Sequence, residues 1–148
     1  MKLSILSTNG VNKQYAEHIG YDMLINLVDA SLPMYTPEAE QSASPELVEQ
    51  IDQLYNLVLD ADQLQFFQPQ YNGSLPPITL NFVAWLSRRN TLMSQDGNWR
   101  DAFKEKNVHI YSYSAGTSAN MVSHFEGLLG YFGADKVEIT TTTSREFV

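Results

Sequence analysis

Five stretches of the chain have the length and the apolar content of β-strands. Met23–Val28 is the clearest, because it is nearly continuous and apolar, as is typical of a strand that is covered on both faces. A polar turn cluster directly follows the first stretch and marks its end. The predicted strands are Lys2–Leu6, Met23–Val28, Asp62–Phe67, Val108–Tyr113 and Lys136–Ile139.

Helical periodicity fills much of the sequence between these strands. The strongest helix begins at Ser44-Pro45-Glu46, where serine can cap free amides, proline suits the first helical position and glutamate complements the helix dipole. Its apolar residues then recur on one face as far as Val58. The other predicted helices are Lys13–Ile19, Ile78–Arg88 and Met121–Phe132, with a short amphipathic piece over Arg100–Glu105. Asp29–Ala43 is predicted to be a loop, and the tail after Ile139 to be extended or frayed.

The alternation of strands and helices predicts an α/β fold with three layers. Right-handed crossovers between parallel strands place the helices across the faces of the sheet. A chain of 148 residues is the usual size of one domain, so residues 1–148 are expected to form a single domain.

Composition and charge restrict the class of function. Nine Lys and Arg against 17 Asp and Glu give a net charge of −8, which is unfavourable for binding nucleic acid or an anionic membrane. The chain has no cysteine, which excludes a disulfide, a thiolate nucleophile and a cysteine-ligated metal or cluster. The N-terminus lacks the apolar run of a signal peptide, so we expect a cytoplasmic protein.

Polar loops follow three of the predicted strands, at Ser7–Lys13, Pro69–Pro77 and Tyr113–Ser118. In open parallel sheets, ligands bind at the carboxyl ends of the strands, where the strand order reverses. The first loop leads into a helix, whose free amides favour an anion. Together the loops would suit a phosphorylated ligand with a flat polar ring. The alternative is that tight turns simply require small polar residues.

The second loop carries a more specific pattern. Its residues are Pro69-Gln70-Tyr71-Asn72-Gly73-Ser74-Leu75-Pro76, and Asn81 and Trp85-Leu86-Ser87-Arg88 follow in the next helix. This pattern resembles the NAD(P)H-dependent FMN reductase family of flavodoxin-like proteins, and weaker similarity runs from Lys2 to about Ile139. The resemblance implies a flavodoxin-like three-layer sandwich with a five-stranded parallel sheet of order 2-1-3-4-5. The family normally adds a helix after the fifth strand, and here that last helix is expected to be missing.

The resemblance also implies which residues bind FMN. Those around the phosphate would be Ser7, Thr8, Asn9, Asn12, Lys13 and Gln14. Those along the ribityl chain and the ring would be Pro69, Gln70, Tyr71, Asn72 and Gly73. Those at the pyrimidine side would be Ser112, Tyr113, Ser114, Ala115 and Gly116. The flavin itself carries the chemistry in such enzymes, so no catalytic side chain and no metal are expected.

The implied function is an FMN-dependent oxidoreductase that uses NADPH or NADH. The acceptor would be a quinone, an azo compound, free flavin or a metal oxyanion, and the protein would be a homodimer or homotetramer. A second hypothesis is a non-catalytic flavin-binding protein or electron carrier that works with a separate reductase. A third is a family member that binds no flavin, because Lys13 is the only cation of the first loop.

Other chemistries have less support in the sequence. His18, His109 and His124 are too scattered for a histidine metal motif, and His109 is predicted to be a hydrogen-bonded histidine within a strand. A serine hydrolase would have to use Ser7 or Ser114, but the chain has no Gly-x-Ser-x-Gly motif.

Overall fold

The computed structural model describes residues 1–99 and 101–143. Its strands are β1 (Lys2–Leu6), β2 (Met23–Asn26), β3 (Gln63–Phe67), β4 (Asn107–Tyr113) and β5 (Lys136–Thr142). Its helices are α1 (Val11–Ile19), α2 (Leu27–Ala30), α3 (Pro37–Gln41), α4 (Pro45–Asp60), α5 (Pro77–Ser87), α6 (Arg89–Leu92) and α7 (Ala119–Tyr131).

The five strands form one parallel sheet in the order β2-β1-β3-β4-β5. Its centre is β1-β3-β4, with Ile5 beside Phe66 and Phe66 beside Ile110. The predicted α/β class and the strand order 2-1-3-4-5 are therefore confirmed. The order reverses between β1 and β3, so the carboxyl ends of these two strands flank a crevice.

Helices cover the two faces of the sheet unequally. The larger core joins one face to α4, α5 and α7 through fully buried residues such as Phe66, Phe82 and Phe125. The smaller core contains Tyr15 and Ala16 of α1, packed against the other face. β5 has no buried residue, and no helix follows it as far as Thr143. The predicted absence of a last helix concerns the chain from residue 144, which lies outside the described residues.

Local capping changes the predicted boundaries after β2. The strand ends at Asn26 rather than Val28, because the Asn26 side chain accepts hydrogen bonds from the amides of Val28 (3.0 Å) and Asp29 (3.4 Å) and starts α2. The predicted loop Asp29–Ala43 was wrong in part, since it contains the end of α2 and all of α3. Thr36 caps α3 through the amide of Ala39.

The other differences lie near the end of the chain. β5 extends to Thr142, beyond the predicted Ile139, because its backbone continues to pair with β4 up to Tyr113. Residues 101–105 form turns rather than the predicted amphipathic piece, although Phe103 is fully buried there. Arg100 and the part of the predicted tail from residue 144 lie outside the described residues.

Trp85 on α5 anchors the segment that follows α2. The indole is fully buried, and its Nε1 donates a hydrogen bond to the carbonyl of Pro33 at 2.8 Å. Asn81 donates to the same carbonyl and accepts from the amide of Tyr35. These contacts hold residues 33–35 beside α5. In the part of the chain that the structure describes, no helix is long and apolar enough to cross a membrane.

Candidate cofactor site

The three polar loops predicted from the sequence lie at the carboxyl edge of the sheet, after the neighbouring strands β1, β3 and β4. Backbone hydrogen bonds link the ends of these strands: the amide of Ser7 donates to the carbonyl of Phe67, and the amide of Gln68 donates to that of Tyr111. The amide of Gln70 donates to the hydroxyl of Ser114 at 3.2 Å. The fold therefore brings the three loops into one continuous region.

An aromatic cluster forms the floor under the first two loops. Phe67 stacks on Tyr111 with ring centroids 4.8 Å apart, and Tyr15 contacts both rings edge-on. Burial raises the pKa of Tyr15 and of Tyr111, so both phenols are neutral near pH 7. This packing fixes the ends of β3 and β4 relative to α1.

Side chains of the first loop take part in its own structure. Ser7 is buried, and its hydroxyl donates to the carbonyl of Phe67 at 3.2 Å. The Asn9 side chain accepts from Asn26 at 2.9 Å, and Thr8 accepts from the Asn12 side chain at 3.3 Å. Ser7 therefore holds the loop against β3, while Thr8 keeps its own hydroxyl proton available for a ligand.

The start of α1 is open, as an anion site requires. Gly10 occupies the N-cap position, and no side chain of this helix caps its first amides. Lys13 and Gln14 are exposed beside them. Free amides, the positive end of the helix dipole and one lysine suit a phosphate group.

Asn12 provides an independent test of fit. Its side chain is buried, and in the described structure its Oδ1 atom has no hydrogen-bond partner. A buried acceptor without a partner is costly, and a ligand hydroxyl would satisfy it. FMN carries both a phosphate and hydroxyl groups, so the residues at this edge fit FMN.

The second loop contains a tight turn. Tyr71 and Ser74 exchange two backbone hydrogen bonds of 3.0 and 2.9 Å across Asn72 and Gly73. These two residues have φ angles of 51° and 72°, the left-handed pair of a type I′ turn, which explains the Asn-Gly sequence. Tyr71 stays 46% exposed, so its ring is available to a ligand. Pro69 is buried where the loop leaves β3.

Hydrogen bonds fix both ends of the third loop, while its middle residues are exposed to solvent. The hydroxyls of Ser112 and Ser118 are buried and 2.8 Å apart, and the amide of Ser114 donates to the carbonyl of Thr142. Ala115 and Gly116 are exposed, and Tyr113 is half-buried. Ser112, which was predicted to contact FMN, thus uses its hydroxyl to hydrogen-bond Ser118 at the other end of the loop.

Residues outside the predicted set extend this region. A cavity of about 430 Å³ lies beside Gly116, between the start of α7 and the end of β5. It is lined by Gly116, Thr117, Ser118, Ala119, Val122, Thr141, Thr142 and Thr143. The threonine run at the carboxyl end of the fifth strand was the available signal. His124 was also missed; its Nδ1 lies 3.2 Å from the hydroxyl of Ser74.

Comparison with known proteins decides the family. The model of the NADPH-dependent FMN reductase family matches residues 7–139. The chain belongs to the NADPH-dependent FMN reductase family. Membership confirms the predicted resemblance to a family whose description names FMN and NADPH. The matched range, residues 7–139, includes all three loops of the site.

Solved structures confirm the flavodoxin-like fold of this FMN reductase family member. FerB, a flavoenzyme NAD(P)H:(acceptor) oxidoreductase from Paracoccus denitrificans, is 15% identical with a TM-score of 0.66, over 99% of this chain and 78% of its own. An NAD(P)H:quinone oxidoreductase from Methanothermobacter marburgensis is 17% identical with a TM-score of 0.66, over 95% and 82%. An FMN-dependent NADH-azoreductase from Bacillus anthracis, in complex with FMN, is 15% identical with a TM-score of 0.62, over 95% and 85%.

A curated relative offers less information about function. The uncharacterised MG342 homolog of Mycoplasma pneumoniae is 29% identical over 85 residues, which is 55% of this chain. The match spans 49%, or about half, of that relative's length.

Proposed function

We propose that this chain couples the oxidation of NADPH or NADH to the reduction of a small acceptor. Bound FMN would supply the hydride and electron transfer. The acceptors we propose are quinones, azo compounds, free flavin and metal oxyanions. The names of the similar solved structures, a quinone oxidoreductase and an azoreductase among them, support the first two classes.

The observation that carries this proposal is that the loops after β1, β3 and β4 lie side by side at one edge of the sheet. After β1 come the open start of α1 and the buried, unpaired side-chain oxygen of Asn12. After the neighbouring strand β3 comes the exposed ring of Tyr71. These are the features that a ligand with a phosphate, hydroxyl groups and a flat ring requires. The buried Asn12 oxygen without a donor favours a ligand over an edge used only for tight turns, since most buried polar atoms are hydrogen-bonded.

The residues would act by binding and orienting. The amides at the start of α1, with Thr8 and Lys13, would hold the phosphate, and Asn12 would accept from a hydroxyl. Tyr71 would contact the ring from the second loop. Amides near Ala115 and Gly116 would stabilise negative charge on the pyrimidine side. We assign no protein side chain to a catalytic step.

An absorption experiment tests the function directly. The purified chain is mixed with FMN, freed of excess, and treated without oxygen first with NADPH and then with NADH. Retained flavin that bleaches with either nucleotide supports the reductase. Retained flavin that bleaches only with dithionite refutes it in favour of an electron carrier. Loss of all flavin on removing the excess contradicts both.

The remaining proposals concern assembly and location. We propose one domain, a cytoplasmic location, and a homodimer or homotetramer without nucleic-acid or membrane partners. An apolar surface supports self-association: Met34 is 69% exposed and, with Tyr35, Pro77 and Leu80, lines a shallow cavity of about 300 Å³. Light scattering of the chain and of Met34→Glu tests this, and a monomeric unchanged chain would refute it.

A further inference from the structure

The side chain of Gln70 connects two of the three loops rather than extending freely towards a ligand. Its Nε2 donates to the carbonyl of Thr117 at 3.0 Å, and its Oε1 accepts from the amide of Met121 at 3.0 Å. With the backbone bond from its amide to Ser114, this one residue makes three contacts across 44 to 51 positions of sequence.

The contact with Met121 supplies a helix cap from outside the helix. α7 begins at Ala119, and the Ser118 side chain at its N-cap position makes no capping bond. The Ser118 hydroxyl is instead engaged with Ser112. Met121 is in the first turn, where amides lack partners within the helix, so the oxygen of Gln70 replaces the missing cap.

The two contacts require a side chain that donates and accepts at once. Thr117 offers a carbonyl oxygen, which needs a donor, and Met121 offers an N–H group, which needs an acceptor. An uncharged amide meets both needs, whereas a carboxylate of the same shape is an acceptor only. A carboxylate would face the Thr117 carbonyl with no proton between the two oxygens, until it became protonated.

We propose that Gln70 is a positioning residue that fixes the third loop and the start of α7 against the second loop, and thereby sets the shape of the FMN site. This inference rests on the proposed function for its ligand, FMN. Its effect on Ala115 and Gly116 is indirect, through Ser114 and Thr117 on either side of them.

The first experiment uses the chain without FMN, so it stands apart from the proposed function. Gln70→Leu has a similar volume but no polar atom. We expect the amide of Met121 to exchange its hydrogen about tenfold faster in this variant, as measured by NMR, from the loss of a cap contribution of about 1.4 kcal/mol. Unchanged exchange at Met121 would overturn the inference.

The second experiment measures FMN affinity against pH in Gln70→Glu. At pH 7.5 we expect the Kd to rise about tenfold over the unchanged chain, and this ratio to return towards one as the pH falls to 5. Protonation would restore the donor to Thr117. The FMN phosphate ionises equally in both experiments, so the ratio of the two Kd values removes its effect.

Gln53→Glu is the matched control, because it adds the same charge at an exposed position of α4. Its Kd ratio should stay near one at every pH. A ratio for Gln70→Glu that is flat with pH, or no loss of affinity at pH 7.5, would overturn the positioning role. If the unchanged chain binds no FMN, the proposed function and the flavin part of this inference fail together, while exchange at Met121 still decides the contact between the loops.

Discussion

A methyl group at position 116 would distinguish a merely exposed loop from one that lies against a flavin. A Cβ atom built on Gly116 meets no heavy atom within 4 Å, and the residue is not in the left-handed region. Gly116→Ala should therefore cost nothing in the chain without FMN. It should even raise the free energy of unfolding by about 0.4–1 kcal/mol, by restricting the unfolded chain.

FMN binding should respond in the opposite direction. If the flavin ring approaches the backbone at Gly116, the added methyl must displace the ring or the loop, which costs about 1–3 kcal/mol in comparable overpacked sites. That range corresponds to a Kd higher by roughly 5- to 150-fold. Greater stability combined with weaker binding is not expected of a residue that serves only to turn the chain.

Gly73→Ala provides the contrast. Gly73 has φ 72°, and its Cβ would lie 3.5 Å from the side chain of Asn120. The left-handed conformation should lower the free energy of unfolding by about 1–2 kcal/mol without any ligand. Gly127→Ala, on the exposed side of α7 with open space around it, is the control and should leave the Kd unchanged.

Urea unfolding and the quenching of FMN fluorescence measure the two quantities in all four chains. If Gly116→Ala binds FMN as tightly as the unchanged chain, the ring does not approach this loop and the proposed pyrimidine-side contact is wrong. If Gly73→Ala is as stable as the unchanged chain, the account of the turn is wrong instead.

Three further predictions concern charge. Lys13→Ala should weaken FMN binding several-fold while leaving riboflavin binding unchanged, because only FMN carries the phosphate; an equal loss for both ligands would contradict the assignment. The Arg88 guanidinium, which donates to both carboxylate oxygens of Glu40, holds the pKa of that carboxyl below 4.5. The contribution of this ion pair to the free energy of unfolding is thus present above pH 4.5 and lost as the pH falls through the folded-state pKa of Glu40. Glu40→Gln should cost about 1–2 kcal/mol at pH 7 in urea unfolding, and a cost that did not shrink in acid would oppose this reasoning. Burial lowers the pKa of His109 below 6.5, so the unfolded chain binds the proton first and stability should decline as the pH falls below 6.5. His109→Gln should flatten that decline between pH 7.5 and 5.5, and an identical slope would exclude His109 as its source.

Much of the fold is encoded locally and was therefore predictable. Apolar strands, the capped start of α4 and the alternation of elements are properties of neighbouring residues, and they led to the correct class of fold. His109 was correctly predicted to be a bonded strand residue, since it contacts Thr140 at 2.8 Å. The short helices α2 and α3 were missed because four or five residues are too few to show a helical period. Their local signals were the caps Asn26 and Thr36 and, for α3, Pro37 at the first helical position followed by Glu38.

The site is harder to predict, because small polar residues bind ligands and build loops with the same atoms. Ser7, Ser112 and Gln70 were all expected to contact FMN, yet each already uses its side chain within the protein. Thr8 and Asn12 retain a proton or an oxygen that is not satisfied. Sequence cannot separate these two groups, since the pairing atoms come from residues 6 to 60 positions away. Stability measured without FMN separates them: substitutions in the first group should destabilise the free chain and weaken binding together, whereas those in the second should weaken binding more than they destabilise the free chain, since they remove only the hydrogen bond between Asn12 and Thr8.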